Sequence, residues 1–178
     1  MNSKYFSADE ILKIPEEDLP LMVLSDNMLS FISFGIKARE AGMYNHFMWM
    51  HKPGQFLSQG LWLKEENVEK YLSGRHRLKF WTNKGWTGDE KSLLREVLRE
   101  KAARPWYQTL YDPIQIIGKL LGISWLQIPG VVICSDHIDY ISVVDKFWQT
   151  QRHLSPPEIN KLLKWNSDYA CYGRYMLD

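Results

Sequence analysis

Cysteine is scarce: the 178-residue chain contains two, Cys134 and Cys171. Two cysteines cannot build a disulfide framework, so stability has to come from an apolar core. Long apolar runs are missing as well. No window approaches the roughly 18 unbroken apolar residues of a membrane-spanning helix, so no membrane span is expected. The opening stretch MNSKYFSADEILKIPEED is polar and acidic and lacks the apolar centre of a secretory signal. Cytoplasmic synthesis is the expectation, and any role outside a cell would need another route, such as release at lysis or carriage in a phage virion. An excess of charge of one sign is also missing. The formal net charge is +1, with Lys and Arg spread along the chain, which argues against nucleic acid and anionic membranes as partners. There is no glycine-rich phosphate loop. His51, His76 and His153 show no ligand spacing with Cys or acidic residues, so neither a metal nor another cofactor is expected.

What the chain has in quantity is large rings: eight Trp, nine Tyr and seven Phe. These suit a core and groove of aromatic side chains, or a site for a sugar or an extended polymer. The apolar fraction is 45%, enough for one sizeable core, and no linker or repeat divides the chain, so one domain over residues 1–178 is expected.

Ser7-Ala8-Asp9-Glu10 ahead of Ile11, Leu12 and Ile14 predicts a short capped helix ending before Pro15. Residues 19–24 form an apolar run that suits a strand. Residues 28–41 carry Leu29, Ile32 and Ile36 at helical spacing, with Gly42 as a stop. Residues 44–51 are the best strand. Phe47 and Trp49 lie on one face and His46, Met48 and Met50 on the other, and both faces are apolar enough for a central position. Lys52-Pro53-Gly54 predicts a turn, with residues 55–62 as the returning strand. A short helix over 64–72 and a strand over 78–82 follow. Asp89 is the expected cap of a helix with the stripe Leu93, Leu94, Val97 and Leu98. Another short helix is expected over 113–121. Val131-Val132-Ile133 leads into Cys134, after which Ile138, Ile141 and Trp148 mark a half-buried helix. Ser155-Pro156-Pro157-Glu158 opens a last helix with inner residues Ile159, Leu162 and Leu163. The order is α+β, with helices around a mostly antiparallel sheet.

A cysteine–histidine hydrolase needs a thiolate, an imidazole to exchange its proton, and a polar group to orient that imidazole. Cys134 stands where an extended run meets a helix start, a position whose free N–H groups favour an anion and could hold an oxyanion. His46 places a titratable ring in an apolar strand. Taken singly, a buried Cys serves equally as filler and a strand His as a hydrogen-bonded core residue. His137, three residues past Cys134, is a competing base.

The order of these segments resembles the permuted branch of the NlpC/P60 superfamily, papain-like cysteine peptidases and amidases in which the histidine precedes the cysteine. Asn45-His46-Phe47-Met48-Trp49-Met50 stands for the family's histidine strand, and Phe56-Leu57-Ser58-Gln59-Gly60 for its polar strand. Val68 to Leu72 matches the small helix, Arg77-Leu78-Lys79-Phe80 the basic strand and Tyr111-Asp112-Pro113-Ile114 the Tyr-Asp segment. Ile133-Cys134-Ser135-Asp136-His137-Ile138 matches the cysteine signature, and Ser155-Pro156-Pro157-Glu158-Ile159 the closing helix. The likeness spans roughly residues 19–165. It departs from the family in lacking the opening Gly-Asp, in Asn45 for Ser and in Asp136 for Glu.

The resemblance implies a circularly permuted papain-like fold with Cys134 as nucleophile and His46 as base. Gln59 would orient the imidazole, or Ser58 if the turn differs by one residue. A neutral third residue supports an imidazolium less than a carboxylate does. Tyr111 and Tyr44 are candidate substrate-binding residues, and Cys171 lies past the matched region as a structural residue. The implied reaction is amide hydrolysis through a thioacyl intermediate. Peptidoglycan stem peptides are one substrate class, in a bacterial or phage setting, and lipid or other acyl substrates another. Acyl transfer by the same dyad and a non-catalytic binding or virion module are the alternatives.

Overall fold

In a computed structural model of the chain, residues 4–27, 43–59, 62–72, 76–109, 134–150 and 154–176 are described, with backbone alone at 27, 134–137 and 150. The expected helices over 28–41 and 113–121 lie outside the described residues.

Strand alternation explains the central sheet. Six strands, β1 (Leu21–Asn27), β2 (His46–Lys52), β3 (Gln55–Gln59), β4 (Leu63–Asn67), β5 (His76–Asn83) and β6 (Tyr169–Tyr175), pair antiparallel in the order β4-β3-β2-β1-β5-β6. β1 and β2 sit inside the sheet, which is why both of their faces are apolar. Their register pairs Leu21 with Met50, Val23 with Met48 and Ser25 with His46.

Even and odd positions then go to opposite layers. Met22, Leu24, Phe47, Trp49, Leu57 and Trp81 face a helical layer. That layer is built from α2 (Gly88–Ala102), α3 (Pro156–Trp165) and the 3-10 segments Cys134–Val143 and Lys146–Thr150, which contribute Leu94, Leu98, Ile138, Ile141, Trp148, Ile159 and Leu163. Leu21, Val23, Met48, Met50, Phe56, Leu78 and Phe80 face the other way. They are covered by α1 (Ala8–Leu12), Ile14, Leu19, and Val68 and Tyr71 of the 3-10 turn Val68–Tyr71. Trp49, Phe47 and Phe80 are fully buried. Each contributes on the order of 3 kcal/mol of apolar burial at most.

The helix ends follow their cap chemistry. Ser7 with Glu10, and Ser155 with Glu158, form reciprocal capping boxes, and α3 has Pro at its first positions. α2 begins earlier than Asp89: Thr87 is its cap and closes a box with Glu90. Of the expected stripe, Leu94 and Leu98 are buried and Leu93 is exposed.

Two expectations need correction. Residues 64–72 are not one helix; Leu63–Asn67 is an edge strand paired to β3, and only Val68–Tyr71 turns. The run Lys64-Glu65-Glu66-Asn67 suits an exposed edge, where charge discourages further pairing. The stretch after α3 forms β6, which was not expected, on the outer side of β5. No described helix is long and apolar enough to cross a membrane.

Candidate functional site

His46 is the first residue of β2, and by alternation its ring shares a face with Met48 and Met50. Ser25 is its cross-strand partner on β1. Ser58 opposes Met48 on β3 and so reaches the same face. His76 opens β5, with its Nδ1 3.5 Å from Ser25 Oγ. One end of an otherwise apolar layer thus gathers two imidazoles and two hydroxyls. The Tyr71 ring packs edge-on against His76 at 5.2 Å.

A directed hydrogen-bond chain runs through this cluster. His46 Nε2 lies 2.9 Å from Ser58 Oγ, Ser58 Oγ lies 3.0 Å from the Tyr71 hydroxyl, and that hydroxyl donates to Glu66. Glu66 also receives Lys70 Nζ at 2.6 Å and Lys64 Nζ at 3.1 Å. An ionised carboxylate only accepts, so the single Tyr71 proton goes to Glu66. Tyr71 oxygen then accepts from Ser58, whose proton is committed, and Ser58 oxygen accepts from His46 Nε2–H. Any other arrangement sets two lone pairs against each other at 3.0 Å. Neutral His46 is therefore the Nε2–H tautomer, with its basic lone pair on Nδ1.

The charge states agree. Partial burial raises the Glu66 carboxyl, but hydrogen bonds from Lys70, Tyr71 and Lys64 outweigh it and bring the group down to about 2. Burial, and then the Glu66 bond, push the Tyr71 hydroxyl up. Burial holds His46 down at about 4 against the opposing pull of Glu66. At neutral pH the ring is an uncharged base.

Gln59 is not in this chain of bonds. It lies on the opposite sheet face, where its Nε2 donates to the Thr109 carbonyl at 2.7 Å. Ser58, the alternative third residue, is the one beside His46. Cys134 is the first residue of the 3-10 segment that packs against β2 and α2; its side chain is outside the described set, as is His137's. The inner residues of that segment, Ile138 and Ile141, meet the face of β2 that carries Phe47 and Trp49, while His46 faces the other layer. Tyr111 lies outside the described residues. Tyr44 is buried in the helical layer, its hydroxyl pushed up to about 12 by burial, and it lines a separate pocket.

Tyr71 and Glu66 were missed as site residues. Both sit in the stretch read as a helix, and only its edge-strand form aims Glu66 at Tyr71. The aromatic residues divide between core and surface. Trp62 and Trp106 stay exposed and flank a cleft of about 550 Å³ between β4 and the end of α2. His51, fully buried, binds Glu65 at 2.9 Å, and Lys52 binds the same carboxylate at 2.6 Å. Among the described residues no cluster of His, Cys, Asp and Glu could hold a metal. The chain matches no protein-family model, and no curated protein matches it in sequence.

Proposed function

We propose that the chain is a cysteine hydrolase with a permuted papain-like fold that cleaves an amide bond, using Cys134 as nucleophile and His46 as base. One observation carries this reading: an imidazole at a strand start whose Nε2–H is fixed by the Ser58–Tyr71–Glu66 chain, leaving Nδ1 as the free base. The chain also answers the weakness of a neutral third residue, because Ser58 and Tyr71 connect the ring to a carboxylate.

In the proposed reaction Nδ1 takes the Cys134 proton and the sulfur attacks the substrate carbonyl carbon. A C–S bond forms as the π pair moves onto oxygen, where backbone N–H groups at the 3-10 start would receive it. Collapse breaks the C–N bond, and the amine leaves with the proton from Nδ1. Water, deprotonated at Nδ1, then hydrolyses the thioester. A thiolate beside the ring supplies the negative charge that offsets burial of the imidazolium. Peptidoglycan stem peptides are the first substrate class to screen, with phage or bacterial wall turnover as the setting.

A second reading, a papain-like module that binds without catalysis, is favoured by the opposite faces taken by His46 and by Ile138 and Ile141. Alkylation of Cys134 by iodoacetamide across pH separates the two. The hydrolase reading expects a thiol titrating below the free value of about 8.5, with that shift lost in His46→Ala. Profiles that coincide in the two proteins would overturn it and leave the binding module.

A further inference from the structure

Lys79 on β5 is 3% exposed and has no carboxylate partner among the described residues. Among the described residues its ammonium meets Asn160 Oδ1 at 3.2 Å and the face of Trp81 at 4.0 Å. Burying a charge without a counter-ion is costly, and proteins seldom retain one without a use. Burial first, then the Lys164 and Arg174 charges against the opposing Cys171 thiol, bring it down to about 8. It still carries its proton at neutral pH.

The surroundings make the imbalance larger. Lys79 lines a pocket of about 280 Å³ together with Lys161, Lys164, Arg174, Asn160 and Tyr44, and among the described residues no acidic one lines it. Arg174 faces Lys79 across the β5–β6 pair; its side chain meets Cys171 and Tyr5, and its Nε is buried with no hydrogen-bond partner among the described residues. Three elements, β5, β6 and α3, thus bring four cations to one concavity.

We propose that this pocket between the β5–β6 edge and α3 binds an oxyanion, specifically a phosphate monoester, with Lys79 as the buried point charge and Arg174 as the planar donor. Lys161 and Lys164 stand on the exposed side of α3 and attract the ligand to the mouth. A dianion suits four lining cations better than a carboxylate does, and the guanidinium fork matches two phosphate oxygens. The volume admits a phosphate with a small organic group. A polynucleotide fits poorly, because the cations form one pocket on a chain of formal net charge +1. The proposal does not rest on Cys134 or His46.

Calorimetric titration of the full chain with glycerol phosphate, and with acetate as control, tests it. Saturable glycerol phosphate binding that exceeds acetate binding and falls about tenfold or more in Lys79→Met is the expected result. Arg174→Gln should weaken it similarly and serves if the first variant misfolds. Sedimentation with phosphatidic-acid vesicles, lost in the same variants, would support the site with a lipid headgroup as the source. In phosphate-free buffer Lys79→Met should melt no lower than the parent, because Met keeps the stem on Trp81 and removes the uncompensated charge. Equal binding of acetate, binding unchanged by either variant, binding of oligonucleotide alone, or a lower phosphate-free melting point in Lys79→Met would overturn the proposal.

Discussion

Ser58 Oγ stands 2.9 Å from His46 Nε2, while Gln59, its chain neighbour, donates through the sheet's other face to the Thr109 carbonyl. The two side chains are thus chemically separable. Ser58→Ala leaves the His46 Nε2–H without its acceptor and cuts the ring from Tyr71 and Glu66, a loss of about 1–3 kcal/mol in stability. It should also move the pH profile of Cys134 alkylation toward that of His46→Ala. Gln59→Ala should leave that profile in place. A profile displaced by Gln59→Ala and not by Ser58→Ala would contradict the assignment.

That distinction shows what was legible in the sequence and what was not. The alternation of residues 44–51 placed His46, Met48 and Met50 on one face correctly, because both layers are apolar and period two is clean. The choice between Ser58 and Gln59 depended on the β2–β3 register, which shifts between Met50 and Lys52. A slip of one residue exchanges the faces of a whole strand, and nothing local announces a bulge. β4 was misread because Lys64-Glu65-Glu66-Asn67 has helix-forming residues, and edge pairing overrode propensity. β6 was missed because its own bulge, opposite Phe80 and Trp81, breaks the alternation. The capping boxes at Ser7 and Ser155 were readable since they are local in sequence.

The pH dependence of stability follows from His46. Burial lowers its folded value from 6.5 to about 4, so between those values the unfolded chain binds the proton more readily. Its contribution is complete above pH 6.5 and is lost as the pH falls through that window toward 4, a change on the order of 3 kcal/mol. His51 and His76, also lowered by burial, act with the same sign. Urea midpoints taken from pH 7.5 to 4 should therefore fall, and the slope should flatten in His46→Gln. A midpoint that rises on acidification would refute this assignment.

The cap of α2 gives a direct comparison. Thr87 Oγ1 accepts from Glu90 N at 3.2 Å and Glu90 returns a bond to Thr87 N at 2.8 Å. Thr87→Ala should cost about 1 kcal/mol. Asp89→Ala, which removes only a first-turn charge, should cost a few tenths. Equal losses in chemical denaturation would show that Asp89 shares the capping role.

A buried polar bridge ties the segment Lys146–Thr150 to β6. Trp148 Nε1 donates to the Tyr169 hydroxyl at 2.7 Å, and that hydroxyl donates to Asp145. Tyr169→Phe keeps the ring against Trp86 and Trp148 but leaves the indole N–H unpaired, at a cost of about 1–3 kcal/mol. Hydrogen exchange should show the loss first at Lys146–Thr150, since that segment docks through this bridge. Uniform loosening across the sheet would point to a different cause.

Gly173 on β6 is required by a close approach. A Cβ built there would lie 1.9 Å from Phe6 Cε2 and 2.5 Å from its Cζ. Phe6 has little room to retreat, because it packs edge-on against Phe80 at 5.8 Å and lies tilted against Tyr172 at 5.7 Å. The amino-terminal segment is also tied to the strand by the Phe6 N–H, which donates to the Arg174 carbonyl at 2.7 Å. Gly173→Ala must therefore displace the ring or the segment, and should cost roughly 1–3 kcal/mol. Phe6→Leu, which shortens the obstructing ring, should relieve part of that loss. Denaturation of both single variants and the double should yield a favourable coupling of about 0.5 kcal/mol or more. Strictly additive losses would mean that the clash is absorbed elsewhere and that Phe6 does not dictate the glycine.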